Sequence, residues 1–215
     1  WSENLCQRGG RKNHMSSQEN DYHKRAIVAI GDRSYETAGD LLARAAWQTL
    51  TEPRPNQTPF DADEKGWVGE GIKHLVTSAV CYRVGGRPDR AANRGTEAGA
   101  VATDLKAALA HPAQQACLQE LVADARLVGG SDDAADTYRE AADAYREAAG
   151  SVEDSHYWST TPLFEAAATP IQQVARSTAN GEIAISWEDL HGSDPAAPGP
   201  FLAHRATFKR QRFPS

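Results

Sequence analysis

Apolar residues recur at alternating steps of three and four along most of this chain, which is the spacing of one buried helix face. Residues 21–50 read as helical, with Tyr35, Ala38, Leu42 and Ala45 on a shared stripe. Between Trp67 and Val84 the stripe is Val68, Ile72, Leu75, Ala79 and Tyr82. The next helix begins at Pro88, a residue suited to a first helical turn, and carries Ala91, Gly95, Ala98, Ala102, Leu105 and Leu109. His111-Pro112 opens another, with Leu118, Leu121, Ala125 and Val128 turned inward. Ser131 precedes a helix in which Tyr138, Ala141, Tyr145 and Ala148 share a face, with Arg139 and Asp143 placed to pair on the other. Pro162 starts a further helix bearing Phe164 and Ala168, which Pro170 must kink or split.

Glycines punctuate this pattern. Gly85-Gly86 and Gly129-Gly130 each end a helix, since glycine accepts the left-handed cap conformation. In the first helical stretch Gly31-Asp32 and Gly39-Asp40 compete as the turn. Aligning the three Gly-containing segments favours Gly39-Asp40, because Gly39, Gly85 and Gly129 then stand 46 and 44 residues apart. Residues 51–65 carry prolines with Asn, Gln and Asp and read as a long loop. Beyond Gly181, Ile183, Ile185 and Trp187 alternate with smaller or polar residues, an extended segment expected to fold back and close one end of the helical array. A Pro/Gly/Ala linker follows from Gly192 to Pro200, then a stretch mixing aromatics with Arg205, Lys209, Arg210 and Arg212.

A repeat of this length implies stacked helical hairpins, because one hairpin cannot bury its apolar face alone. The expected fold is all-α: a right-handed stack of antiparallel hairpins, about seven helices, with an irregular C-terminal extension. Residues 1–20 read as a leader, 21–180 as the helical-repeat domain, and 181–215 as an extended segment with a basic tail. Met15 is the sole methionine and reads as the start, with 1–14 set aside.

Tyr35, Gly39 and Ala45, and again Tyr82, Gly86 and Ala91, resemble the aromatic–glycine–small pattern of tetratricopeptide-type repeats and the longer hairpins of SNAP-type adaptors. Gly130 and Ala135 continue it, with Arg126 at the aromatic position. The spacing departs from the family's repeat of about 34 residues, and the proline that usually closes each repeat is missing. The resemblance implies a scaffold that grips a partner peptide in a groove of Arg, Lys and Asn. Arg87, Arg90, Asn93 and Arg94, spaced by three and four, are the residues placed to do so.

A net charge of −6 argues against nucleic-acid binding by the whole surface but not by a local patch. The excess of Arg over Lys and the abundance of Ala point to a GC-rich genome, that of a salt-adapted archaeon or of a GC-rich bacterium. Cys6, Cys81 and Cys117 form neither a disulfide framework nor a CxxC zinc pattern, and Cys81 and Cys117 read as small buried hydrophobes. No apolar run approaches the roughly 18 residues that span a bilayer. With no signal-peptide pattern, the expected location is cytoplasmic.

The chemical motifs are weak. Gly66-Trp67-Val68-Gly69-Glu70-Gly71 precedes a helix but lacks the Lys-Ser/Thr of a phosphate loop. His191-Gly192-Ser193-Asp194 holds the residue types of a nucleophilic triad, but adjacent residues cannot supply its geometry, and a turn is expected. No histidine pattern fits a metal. No catalytic residue, cofactor or metal is therefore assigned. The leading expectation is a non-enzymatic adaptor that binds another protein or its own copy. A second reading is an RNA- or ribosome-associated factor acting through Arg205, Lys209, Arg210 and Arg212, whose aromatic neighbours could stack on bases. A third is an enzyme with a site between helices, walled by Trp67, Trp158 and Trp187.

Overall fold

The helix stripes are buried where the periodicity puts them, except that Tyr35 and Leu105 are half-buried, and the turns between stripes decide how the helices pair. The computed structural model describes residues 12–52, 66–169 and 190–212, with the side chains of 12–20 excepted. The described residues are helical, with no strand among them. Six long helices run in order: α1 (Lys12–Gly31), α2 (Tyr35–Thr51), α3 (Gly66–Val84), α4 (Pro88–Ala108), α5 (Pro112–Gly129) and α6 (Ala134–Glu147). A 3₁₀ turn at Ala148–Ser151 leads to the short α7 (Ser155–Ser159) and to α8 across 162–169. The last helix, α9, spans Pro198–Arg212.

Helices α1/α2, α3/α4 and α5/α6 form three hairpins closed by the same cap. Each turn passes through one left-handed residue: Arg33 (φ 58°), Gly86 (φ 73°) and Gly130 (φ 85°). The next N–H reaches back five residues, from Ser34 to the Ala29 carbonyl at 2.8 Å, Arg87 to Tyr82 at 2.8 Å and Ser131 to Arg126 at 2.9 Å. A second bond spans three residues in each, Arg33 to Ile30, Gly86 to Arg83 and Gly130 to Leu127. This pair of bonds is the Schellman arrangement, which satisfies carbonyls that the helix end would leave bare.

The first turn is therefore at Gly31–Ser34 and not at Gly39-Asp40. Gly39 lies inside α2, where a Cβ would stand 2.7 Å from Cε1 of Tyr82. Its hydrogen side chain lets α2 close on α3. The left-handed residues of the three turns, Arg33, Gly86 and Gly130, then stand 53 and 44 residues apart.

Consecutive helices pack together throughout α1–α6, and α3 also meets α5. The main core joins Ile72 and Leu75 of α3, Ala98 of α4, Leu118 and Leu121 of α5 and Tyr145 of α6. A smaller cluster joins Ala26 and Ala29 of α1 to Ala38 and Leu42 of α2 and Cys81 of α3. The glycines opening α3 serve packing: a Cβ at Gly66 would meet Pro162 at 2.8 Å, and one at Gly69 would meet Ala166 at 2.6 Å. Segment α8 thus lies against α3, and its Phe164 enters the main core.

The C-terminal stretch differs from the extended basic tail expected of it. Residues 198–212 are helix α9, packed on α6, with Phe201, Leu202 and Ala206 buried. Likewise α1 begins at Lys12, within the segment read as a leader. The loop at 53–65, the Pro170 kink and the strand-like segment 182–189 lie outside the described residues; Leu190, next to the last of these, packs on Ala168 and Phe208.

Candidate interaction surface

The arginines placed to grip a partner are committed to the protein's own carboxylates. Arg87 Nε donates to Glu36 Oε2 at 3.0 Å, and Arg90 donates to Glu36 Oε1 at 2.7 Å and Asp40 Oδ1 at 2.6 Å. The Arg90 guanidinium also lies 4.2 Å from the centre of the Tyr82 ring, whose hydroxyl donates to Asp40. The hydrogen bond from Arg87, joined by Arg90, holds the Glu36 carboxyl below its usual range. Arg94 pairs with Glu97 one turn away, and Glu97 in turn accepts from Trp47 Nε1 at 2.7 Å. Asn93 is exposed. Arg87 and Arg90 directly, and Arg94 through Glu97, lace α4 to α2.

The four basic residues of the last helix divide into two pairs. Arg210 and Arg212 are exposed, whereas Arg205 and Lys209 are buried. Arg205 makes a bidentate pair with Glu120, Nε to Oε1 at 2.7 Å and Nη2 to Oε2 at 2.9 Å. Lys209 Nζ donates to both oxygens of Asp124 and to the Ala167 carbonyl, and lies 2.8 Å from Glu120 Oε1. Tyr138 and Tyr145 close the cluster by donating their hydroxyls to Asp124 at 2.6 Å and Glu120 at 2.8 Å. Two of the cations proposed for nucleic acid are thus internal.

Charge balance makes this cluster tolerable, because a buried charge is costly unless paired and hydrogen-bonded. Burial pushes the Glu120 carboxyl up, but Arg205 and Lys209 outweigh it and hold the group at about 2. Burial, the larger influence on Asp124, raises that carboxyl despite Lys209. Burial likewise pushes the thiols of Cys81 and Cys117 up to about 11 and about 12, so both remain protonated small hydrophobes. Glu120 and Asp124 interrupt the apolar face of α5 at a spacing of four, and Arg205 and Lys209 repeat that spacing on α9.

The other motifs have structural roles. His111 caps α5 by accepting from the Ala113 N–H, and its ring stacks on Trp158 with centroids 4.2 Å apart. Trp158 belongs to the main core; Trp187 lies outside the described residues. His191 is buried against Phe201, and Asp194 accepts from the Ala196 N–H in the expected turn. The surface of α6 pairs Arg139 with Asp136 and Arg146 with Asp143, in place of Arg139 with Asp143. His74 Nε2 lies 3.0 Å from Glu70 Oε1, beside His23 of α1, and no group of three metal-ligating side chains occurs among the described residues.

A groove of about 680 Å³ lies open between α4 and α5. Close approach shapes its floor: a Cβ at Gly95 would meet the Ala125 carbonyl at 2.6 Å and Gly129 Cα at 2.7 Å. Thr96, Gly99 and Thr103 form one wall, while Arg126 and Asp133 form an ion pair at the other. No family model, curated protein or solved structure matches the chain. No helix among the described residues is long and apolar enough to cross a membrane.

Proposed function

We propose that the protein is a non-enzymatic adaptor that binds a segment of another protein along the groove between α4 and α5. The groove itself is the supporting observation. Small residues on its floor let a partner side chain approach the helix backbones, while the polar rim offers hydrogen bonds, the division of labour common to protein-binding surfaces. The array beneath it is held by three like caps and one charge-balanced core, so the surface is pre-organised and loses little entropy on binding.

Photo-crosslinking tests this reading. A crosslinker at Thr96 or Thr103 should capture the same protein from native lysate, and one at Arg139 on α6 should not. Gly99→Leu should abolish that capture without unfolding the array, because a Cβ there meets Ala125 at an ordinary 3.8 Å. Equal capture from all three positions, or capture unaffected by Gly99→Leu, would remove the groove as the binding surface.

A further inference from the structure

Helix α1 stands at the end of the hairpin array, packed on α2, and carries an adjacent pair of exposed apolar side chains. Ile27 is 53% and Val28 63% exposed, while Ala26 and Ala29 beside them are buried. The pair sits on one stripe with Lys24, Gly31 and Asp32, all exposed. Adjacent β-branched side chains on a helix surface gain nothing from water, and burying the pair would favour association.

We infer that two copies of this chain pair through α1, antiparallel, about a two-fold axis passing beside Val28. The charge pattern selects this occupant. Lys24 and Asp32 stand four residues either side of Val28, so a two-fold axis there brings Lys24 of each copy opposite Asp32 of the other. An isologous contact must be self-complementary in this sense. The helix end adds to it: the last turn of α1 carries no basic residue, and a cation arriving beside Asp32 complements the negative end of the dipole. Val28 meets its counterpart at the centre, and the two Ile27 side chains cover it from one side.

This pairing is independent of the α4/α5 groove, so either can fail alone. Sedimentation velocity across a wide concentration series tests it. The wild-type chain should show a concentration-dependent dimer, and Val28→Asp should be monomeric with an unchanged melting curve. Lys24→Asp should weaken the dimer by about tenfold or more, because it sets like charges opposite each other. Adding Asp32→Lys to that variant should restore it, which neither a general surface effect nor a different partner face would do. A Val28→Cys chain should form a disulfide-linked dimer under mild oxidation. A monomeric wild type, a dimer indifferent to Val28→Asp, or failure of the charge swap to restore association would overturn the proposal.

Discussion

Lys209 Nζ donates to both carboxylate oxygens of Asp124, at 2.9 and 2.7 Å, across 85 residues of chain. Neither side chain is more than 2% exposed. This contact joins α9 to α5, and the Ala167 carbonyl brings α8 to the same ammonium. Salt bridges this deep add little net stability over apolar packing, but breaking one leaves an uncompensated buried charge.

Lys209→Met should therefore destabilise the protein by about 3–5 kcal/mol in urea unfolding. Asp124→Asn in the same chain should recover part of that loss, since it removes the stranded charge. A loss under about 1 kcal/mol for Lys209→Met would mean that α9 is not anchored through this pair.

The packing glycines should rank by what a methyl group would strike. Gly95→Ala pushes a Cβ into the backbone of α5 and should cost about 1–3 kcal/mol or more. Gly39→Ala meets the Tyr82 ring, which Asp40 and Arg90 hold, and should cost less than Gly95→Ala but remain destabilising. Gly31→Ala meets nothing and should be near neutral. Thermal melts of the three variants check the order.

At the hairpin turns, Arg33 alone holds the left-handed conformation without being glycine. Arg33→Gly should stabilise by up to about 1 kcal/mol, reduced by the greater freedom of glycine in the unfolded chain. Gly86→Ala should destabilise by about 1 kcal/mol for the opposite reason. Chemical denaturation of the pair should give changes of opposite sign.

Acid should weaken the junction of α1 and α3 in two stages. Burial, with His74 nearby, lowers the pKa of His23 below its usual 6.5. The unfolded chain then binds more protons than the folded one as pH falls below 6.5, so stability drops from that point. Glu70 is held at about 2 against burial, by hydrogen bonds from His74 and Lys73. Its contribution is present above the ordinary 4.5 and disappears between 4.5 and about 2. His23→Gln should remove the first stage and leave the second, as read from melting temperature against pH.

The sequence by itself determined where α3 to α6 lie and which face each one buries, whereas it put the first turn at Gly39-Asp40 and read α9 as an extended tail. Val68, Ile72, Leu75 and Ala79 are buried as their spacing requires, as are Leu118, Leu121, Tyr138 and Tyr145. Such features are local, because a helix face is set by residues three and four apart and a cap by the few residues around one glycine. The tertiary structure alone decided which polar residues would be internal. Arg205 and Lys209 have the same composition as a solvated basic helix until Glu120 and Asp124 arrive at matching spacing on α5. The same holds for Arg87 and Arg90, whose partners Glu36 and Asp40 belong to another hairpin. Gly39 shows the remaining ambiguity: glycine serves a turn or a close helix contact equally well, and only the Tyr82 ring above it chose between them. Charge pairing and close approach depend on the surfaces that folding brings together, which no local periodicity encodes.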